Sequence, residues 1–300
     1  MRKYIGNIMG EIGFPDEAQD CFLKLYDGFT DSDFAFFEKL RKDYFLETAD
    51  TNKDIMDKLF GFAAAKGINE YSLNMLFLLL CTEQLEKAYA GNGIPREVYI
   101  CTLTDLRAKL YECKNLYSVW GTFDFCWFRR FFLCTRFGLG RFQYETNVFD
   151  VADYYSRGGI SIKNGDLVHE IHIPSLGAMP KDMRMESYKK AFEFYGYKKG
   201  EKIIFACRSW LLYQDNEKFL DKNSNIYSFM QDFDIVRSRD YDNAFNDAWR
   251  VFYKDYTGST DDLPKDTTLR RRICDWLDKG NKIGSGYGII VFDGEKIINR

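Results

Sequence analysis

GDLVHEIHIPSLGAMPKDMRMESYKKAFEFYG, residues 165–196, sets the architecture of the chain. LVHEIHIP reads as a strand in which Val168, Glu170 and His172 share one face and His169, Ile171 and Ile173 the other. Pro174 follows, where a strand must end or lose a ladder bond. PKDMRMESYKKAFEFYG then reads as a helix, and EKIIFACRSWLLY as a strand of the fully buried kind. The stretch also contains both histidines of the chain, His169 and His172.

Upstream, GISIKNG leads into this strand as one arm of a hairpin with its turn at Lys163-Asn164-Gly165. GLGRFQYETNVF reads as a further strand, preceded by a very aromatic helix over TFDFCWFRRFFLCTRF. Downstream, NEKFLDKNSNIYSFMQDF reads as a broken helix and DIVRSR as a short strand. DNAFNDAWRVFYKDY and DTTLRRRICDWLDKG read as helices, the second capped by Asp266 or Thr267 and stopped by Gly280. GSGYGIIVFDGEKIINR closes the chain as a strand pair. Helices and strands alternate without a strict βαβ rhythm, so a mixed α+β sheet with flanking helices is expected.

The first third is helical. DEAQDCFLKLYDGF, DSDFAFFEKLRKDYF, NKDIMDKLFGFAAAKG, EYSLNMLFLLLCTEQLEKAYAGNG and PREVYICTLTDLRAKLYECKNLY each carry helical spacing or stop signals. The expected organisation is therefore a helical domain over 1–118 and a mixed-sheet domain over 119–300.

The chain has 300 residues, 46% hydrophobic and 29% charged, with 27 Phe and 20 Tyr, which places it among globular proteins with ample core. A net charge of −3 argues against nucleic acid as a partner, and Arg270, Arg271 and Arg272 read as a solvated helix face. The longest apolar run, MLFLLLC (75–81), is far short of the ~20 residues of a membrane span. MRKYIGNIMGEIGFPDEA lacks the apolar stretch of a signal peptide. The eight cysteines form no CxxC pair and no zinc spacing; they read as free thiols in a reducing cytoplasm, and no metal is expected.

LGRFQYE (139–145), HIP (172–174), CRSWLL (207–212), LPKDTTLRR (263–271) and GSGYG (284–288), in this order, resemble bacterial acyltransferase-domain proteins with a helical N-acyltransferase N-terminal domain and a GNAT-like C-terminal domain. The resemblance covers residues 120–300, and over 1–115 it rests on helical character and position. It implies that LVHEIHIP is the central strand that splays from its neighbour to admit the pantetheine arm of acyl-CoA or acetyl-CoA. KIIFACRSWLL would be that neighbour. Ser175, Leu176, Gly177 and Ala178 would form the pyrophosphate loop ahead of the helix, with Lys181 and Arg184 adding charge. A helix N-terminus suits this task because its first N–H groups are unpaired and its dipole is positive there. SLGAMPKDM departs from the Q/R-x-x-G-x-G/A pattern of GNAT enzymes. TRFGLG (135–140) offers no replacement, since it precedes a strand and reads as a helix C-cap and turn.

Acyl transfer to an amine needs a base, oxyanion donors and an acid for the leaving thiolate. His172, at a strand end, is the candidate base, with Glu170 or Glu145 either sharing that role or fixing its tautomer. Ser209 or Tyr213 would protonate the thiolate. His169, grouped with isoleucines, reads as structural. Glu145 has a second reading, as an ion-pair partner of Arg141 or Arg136. The polar face Arg141-Gln143-Glu145 either lines a substrate cavity or meets solvent, and Cys207 and Trp210 are further pocket candidates. Three functions compete. The first is an acyl-CoA-dependent N-acyltransferase of a small amine-containing acceptor, by direct transfer. The second is a catalytically inactive GNAT-like domain that binds acyl-CoA or another small ligand, favoured by the missing loop pattern. The third is a hydrolase or ping-pong enzyme using Cys207 or Ser209 with His172. The sequence leaves the oligomeric state open.

Overall fold

A computed structural model describes residues 1–46 and 51–299. The chain forms two compact units, Met1–Gly138 and Leu139–Arg300.

The first unit is helical: α1 Arg2–Glu11, α2 Asp16–Asp27, α3 Asp31–Tyr44, α4 Thr51–Lys66, α5 Glu70–Gly91 and α6 Arg96–Tyr117. The apolar run of α5 is buried all round, from Leu73 through Thr82, and α5 packs against α1, α2, α3, α4 and α6. A central helix has no solvent face and so shows no amphipathic stripe. Asn69 starts it by accepting from the N–H groups of Tyr71 and Ser72. Among the described residues, no helix is long and apolar enough to cross a membrane.

Two elements here differ from the sequence reading. The helix α1 was not anticipated, because Gly6 and Gly10 lower its intrinsic propensity; buried Ile5, Ile8 and Met9 hold it in place. The aromatic stretch expected as one helix is instead a 3₁₀ turn at Phe125–Phe128, a single α turn, α7 Arg129–Phe132, and the strand β1 Arg136–Leu139. Phe125, Phe128, Phe131 and Phe132 are all buried, and Cys134 takes a left-handed φ of 55° that ends the turn. Ring burial overrides helical continuity here. TRFGLG is therefore strand and turn rather than a helix cap, with Gly140 at φ 76° between β1 and β2.

The second unit is built on a sheet that includes β2 Phe142–Val148, β5 Leu167–His172, β6 Ile203–Ser209, β8 Ser285–Phe292 and β7 Asp234–Arg239, in that spatial order. The pair β5–β6 is parallel; β2–β5, β6–β8 and β7–β8 are antiparallel. A separate hairpin, β3 Tyr154–Arg157 and β4 Ile160–Lys163, turns through Gly158 and Gly159, both at positive φ. The expected hairpin around Asn164-Gly165 is thus corrected: the turn exists, with Asp166 N–H donating to Lys163 O at 3.0 Å, but its arms belong to different sheets. The buried Tyr155 and Ile162 hold β3–β4 against Val168, Ala206, Tyr287 and Ile289 instead.

The opposite face of the sheet carries α8 Lys181–Phe194. Its Tyr188 ring lies 5.7 Å from Phe142 and 5.6 Å from Phe205, and Phe192 lies 6.1 Å from Phe292. Short helices α9 Asn225–Met230 and α10 Ala248–Phe252 and the longer α11 Thr268–Leu277 complete the unit. Thr267 is the cap of α11, accepting from Arg270 N–H. The expected helix over DNAFNDAWRVFYKDY shrinks to α10, and the closing strand pair to β8 plus a single bridge, Phe292–Ile297; Arg300 lies outside the described residues. GSGYG owes its glycines to packing. A Cβ on Gly284 would meet Arg239 O at 1.8 Å, and one on Gly286 would meet Leu212 O at 1.8 Å.

Candidate active site

The ladder between the two central strands is short. β5 and β6 pair at His169–Phe205 and Glu170–Ala206. Beyond that point β5 stays paired to β2 as far as Gln143–His172, and β6 stays paired to β8 as far as Ser209–Gly286. Each strand keeps its outer neighbour while the two no longer pair with each other. The ladder in the middle of the sheet therefore stops short of His172, which leaves the backbone of Cys207–Ser209 without a ladder partner on β5.

The register of β2 against β5 sets which side chains meet at the end of this ladder. Gln143 stands opposite His172, Glu145 opposite Glu170 and Asn147 opposite Val168, all on one face. His172 Nε2 lies 2.8 Å from Glu145 Oε1, and Asn147 Nδ2 donates to Glu170 Oε2 at 2.7 Å. Glu145 is buried and the His172 side chain is 18% exposed, so the pair is sheltered yet reachable. Glu145 thus pairs with His172. Ligand atoms of Glu145, Glu170 and His172 lie within 4.8 Å of one another. These are residue types that bind divalent cations, and the same arrangement suits proton transfer.

The polar face Arg141-Gln143-Glu145 does not meet solvent: all three side chains are buried. Arg141 was expected to line a substrate pocket. Its guanidinium instead braces the loop after β5, donating to Pro174 O at 3.0 Å, Gly177 O at 2.8 Å and Ala178 O at 3.0 Å. Burial lowers its pKa to about 10, which leaves it charged at neutral pH. In a planar trans peptide N–H points opposite to C=O. Pinning these carbonyls inward therefore turns the N–H groups of Ser175, Ala178 and Met179 outward. Gly177 bends the loop at φ 90° and has open space around it. The first turn of α8 follows behind Pro180 with no side-chain cap, and Lys181 is exposed beside it. Ser175, Gly177 and Ala178 are exposed and Leu176 is half-buried.

Several expected site residues are occupied elsewhere. Arg184 is fully buried, with Nε 2.7 Å from Asp232 Oδ2 and further bonds to Met179 O at 2.6 Å and Ser228 Oγ at 3.0 Å. It cannot face a phosphate in solvent and is a packing residue of α8. Cys207 is buried on the face opposite Glu170 and His172, and burial pushes its thiol pKa far up, which favours the protonated thiol. Tyr213 donates its hydroxyl to Asp240 Oδ1 at 2.7 Å, and burial raises its pKa. Trp210 is buried edge-on against Phe245, 5.6 Å between centroids. Ser209 Oγ accepts from Leu211 N–H at 3.2 Å, which leaves its hydroxyl proton to donate. Two residues were missed. Asn147 continues the alternation 143, 145, 147 and was legible by period alone. Tyr287, whose pKa is raised by burial and by the charge of Glu170, lay in the quoted GSGYG without a role.

His169 is on the other face, its ring 3.8 Å from that of Tyr195 and its nitrogens near Thr146 Oγ1 and Tyr197 OH. Burial lowers its pKa to about 4. The folded state therefore holds it neutral, whereas the unfolded chain binds a proton below about pH 6.5. Its contribution to stability is intact above pH 6.5 and is lost as pH falls toward 4. After allowance for solvent screening, His169→Gln is expected to remove about 1 kcal/mol of the stability lost between pH 7 and pH 5. Urea unfolding at the two pH values checks this; an identical loss in the variant contradicts it.

Comparison with known proteins places this α+β chain in an acyltransferase-type family. The family model for the N-acyltransferase N-terminal domain matches residues 5–134, and that for the GNAT-like C-terminal domain matches residues 137–290; the chain belongs to the family that joins these two domains. No curated protein matches the chain. Among solved structures it is similar to an acyltransferase in complex with decanoyl-CoA and teicoplanin, with TM-score 0.72 and 18% identity over 95% of this chain and 86% of that one. It is also similar to an acyltransferase mutant in complex with octanoyl-CoA, with TM-score 0.70 and 16% identity over 94% and 86%. A third is an acyltransferase in complex with CoA and 10C-teicoplanin, at TM-score 0.68 and 17% identity over 94% and 86%. At such identities the likeness is one of fold.

Proposed function

We propose that this protein is an acyl-CoA-dependent N-acyltransferase that acylates a small amine-bearing acceptor by direct transfer. The observation that carries the reading is the end of the β5–β6 ladder at Glu170–Ala206, with the His172–Glu145 pair at its rim. The pantetheine arm would lie in the opening against the backbone of β6. The diphosphate would meet the outward N–H groups of the 175–179 loop, the start of α8 and Lys181. Arg141 supplies, through the backbone, the order that the absent glycine-rich pattern gives elsewhere.

In the reaction the acceptor nitrogen attacks the thioester carbon and gives its proton to His172, whose imidazolium is held by Glu145. The N–C bond forms, and the oxyanion is held by β6 N–H groups beyond Ala206. The C–S bond then breaks, and the CoA thiolate takes the proton that His172 received, directly or relayed through Ser209, so that both side chains return to their starting states. The octanoyl- and decanoyl-CoA in similar folds support an aliphatic acyl donor, and teicoplanin in one of them and 10C-teicoplanin in another support a small, non-polymeric acceptor. The free cysteines support a reducing compartment such as the cytoplasm.

Titration with CoA, acetyl-CoA, octanoyl-CoA and decanoyl-CoA, followed by thermal unfolding, tests the donor. At a hundred times Kd the bound ligand adds about 2.7 kcal/mol, which raises Tm by several degrees. No shift with any of them at millimolar concentration would refute donor binding. The second reading, an inactive domain that binds acyl-CoA, is favoured by the missing Q/R-x-x-G-x-G/A pattern. It predicts a Tm shift but no release of CoA thiol with any primary amine.

A further inference from the structure

We infer that Gln143 selects the nucleophile: its side-chain carbonyl receives the second N–H of an amine acceptor and turns hydroxyl acceptors away. This inference rests on the acyl-transfer reading and names what that reading leaves open, the basis of nitrogen-over-oxygen preference. Gln143 is 2% exposed, and its Oε1 has no hydrogen-bond partner. It stands directly opposite His172 and two residues from Glu145 on the same face. A buried acceptor left unpaired lowers the stability of the fold, and an unpaired group beside a proton-transfer pair marks a contact made only with substrate.

The chemistry of attack fixes what that contact is. A neutral amine approaches the thioester carbon along its one lone pair and carries its N–H bonds on the far side. One proton goes to His172. The other N–H needs an acceptor in a region closed to water, and Gln143 Oε1 is the unfilled acceptor beside His172. A hydroxyl nucleophile has a single proton, which His172 takes, and it would then present its remaining lone pair to Oε1. Two acceptors facing each other repel, so an alcohol is disfavoured at the position where an amine is held. The flanking carboxylates Glu145 and Glu170 reinforce the bias by attracting the ammonium form before it loses its proton.

The experiment compares wild type and Gln143→Met with decanoyl-CoA and a panel of primary amines, each paired with the alcohol of the same skeleton. The variant is expected to lose about 10- to 100-fold in kcat/KM for amines and little or nothing for alcohols, so the amine-to-alcohol ratio collapses. Because an unsatisfied acceptor is removed at similar volume, Tm is expected to rise by about 2–4 °C. An unchanged ratio, or a Gln143→Met protein that is less stable or fails to fold, overturns the role of Gln143 and leaves acyl transfer standing. If decanoyl-CoA binds but wild type acylates no amine in the panel, the acyl-transfer reading falls, and this inference with it.

Discussion

Replacing His172 with alanine is expected to lower acyl transfer by about 10²- to 10⁴-fold, the usual contribution of a positioned base. Acyl-CoA affinity should stay within about twofold, because the proposed function places the diphosphate on the 175–181 backbone and not on His172. The large effect follows from geometry. His172 Nε2 lies 2.8 Å from a buried carboxylate, so the imidazole has a fixed orientation and a counter-charge for the proton it receives. Glu145→Gln keeps the shape and removes that charge; a smaller loss than in His172→Ala is expected. Stopped assays of CoA thiol release with an amine acceptor, run beside decanoyl-CoA titration, separate turnover from binding. A His172→Ala protein that turns over like wild type would remove the histidine from the mechanism.

The second large effect is on stability. Arg184→Met is expected to cost about 3–5 kcal/mol, since it leaves the Asp232 carboxylate buried without its cation. Arg184 is 0% exposed and holds Asp232, Ser228 and Met179 together, and Tyr188 adds a bond to Asp232 Oδ2 at 3.1 Å. The network ties α8 to α9, and α8 follows directly on the 175–180 loop. Removing the carboxylate as well, in Arg184→Met with Asp232→Leu, should recover much of the loss because no unpaired charge remains. Denaturant unfolding of the single and double variants forms the cycle. If Arg184→Met unfolds like wild type but binds acyl-CoA more weakly, the phosphate-binding role first expected of Arg184 is restored.

That reversal shows where sequence reading stops. A basic residue one turn into a helix behind a phosphate-type loop has two fates, and only the position of Asp232, 48 residues on, separates them. The strand LVHEIHIP was legible because alternation fixes faces without knowledge of partners, so Glu170 and His172 fall together and His169 apart. Its turn at Asn164-Gly165 was legible too, but the strand across that turn was not. A local turn is set by backbone chemistry, whereas pairing is chosen by which faces can be buried, and Tyr155 and Ile162 favoured β3 for β4. The aromatic stretch 122–137 misled for a related reason: ring burial is set by neighbours distant in sequence. Period two put Arg141 on the face of Gln143 and Glu145, yet its reach to three loop carbonyls depended on a 33- to 37-residue separation that no pattern reports.

The central claim is that the parted strands beside His172 receive the acyl-CoA arm. Diffraction from crystals grown with a non-reactive thioether analogue of decanoyl-CoA tests it most directly. The account predicts density for the pantetheine between Ile171–His172 and Cys207–Ser209, with the diphosphate against the backbone of 175–181. Density for the analogue at any other place, with β5 and β6 laddered together past Ala206, would contradict it.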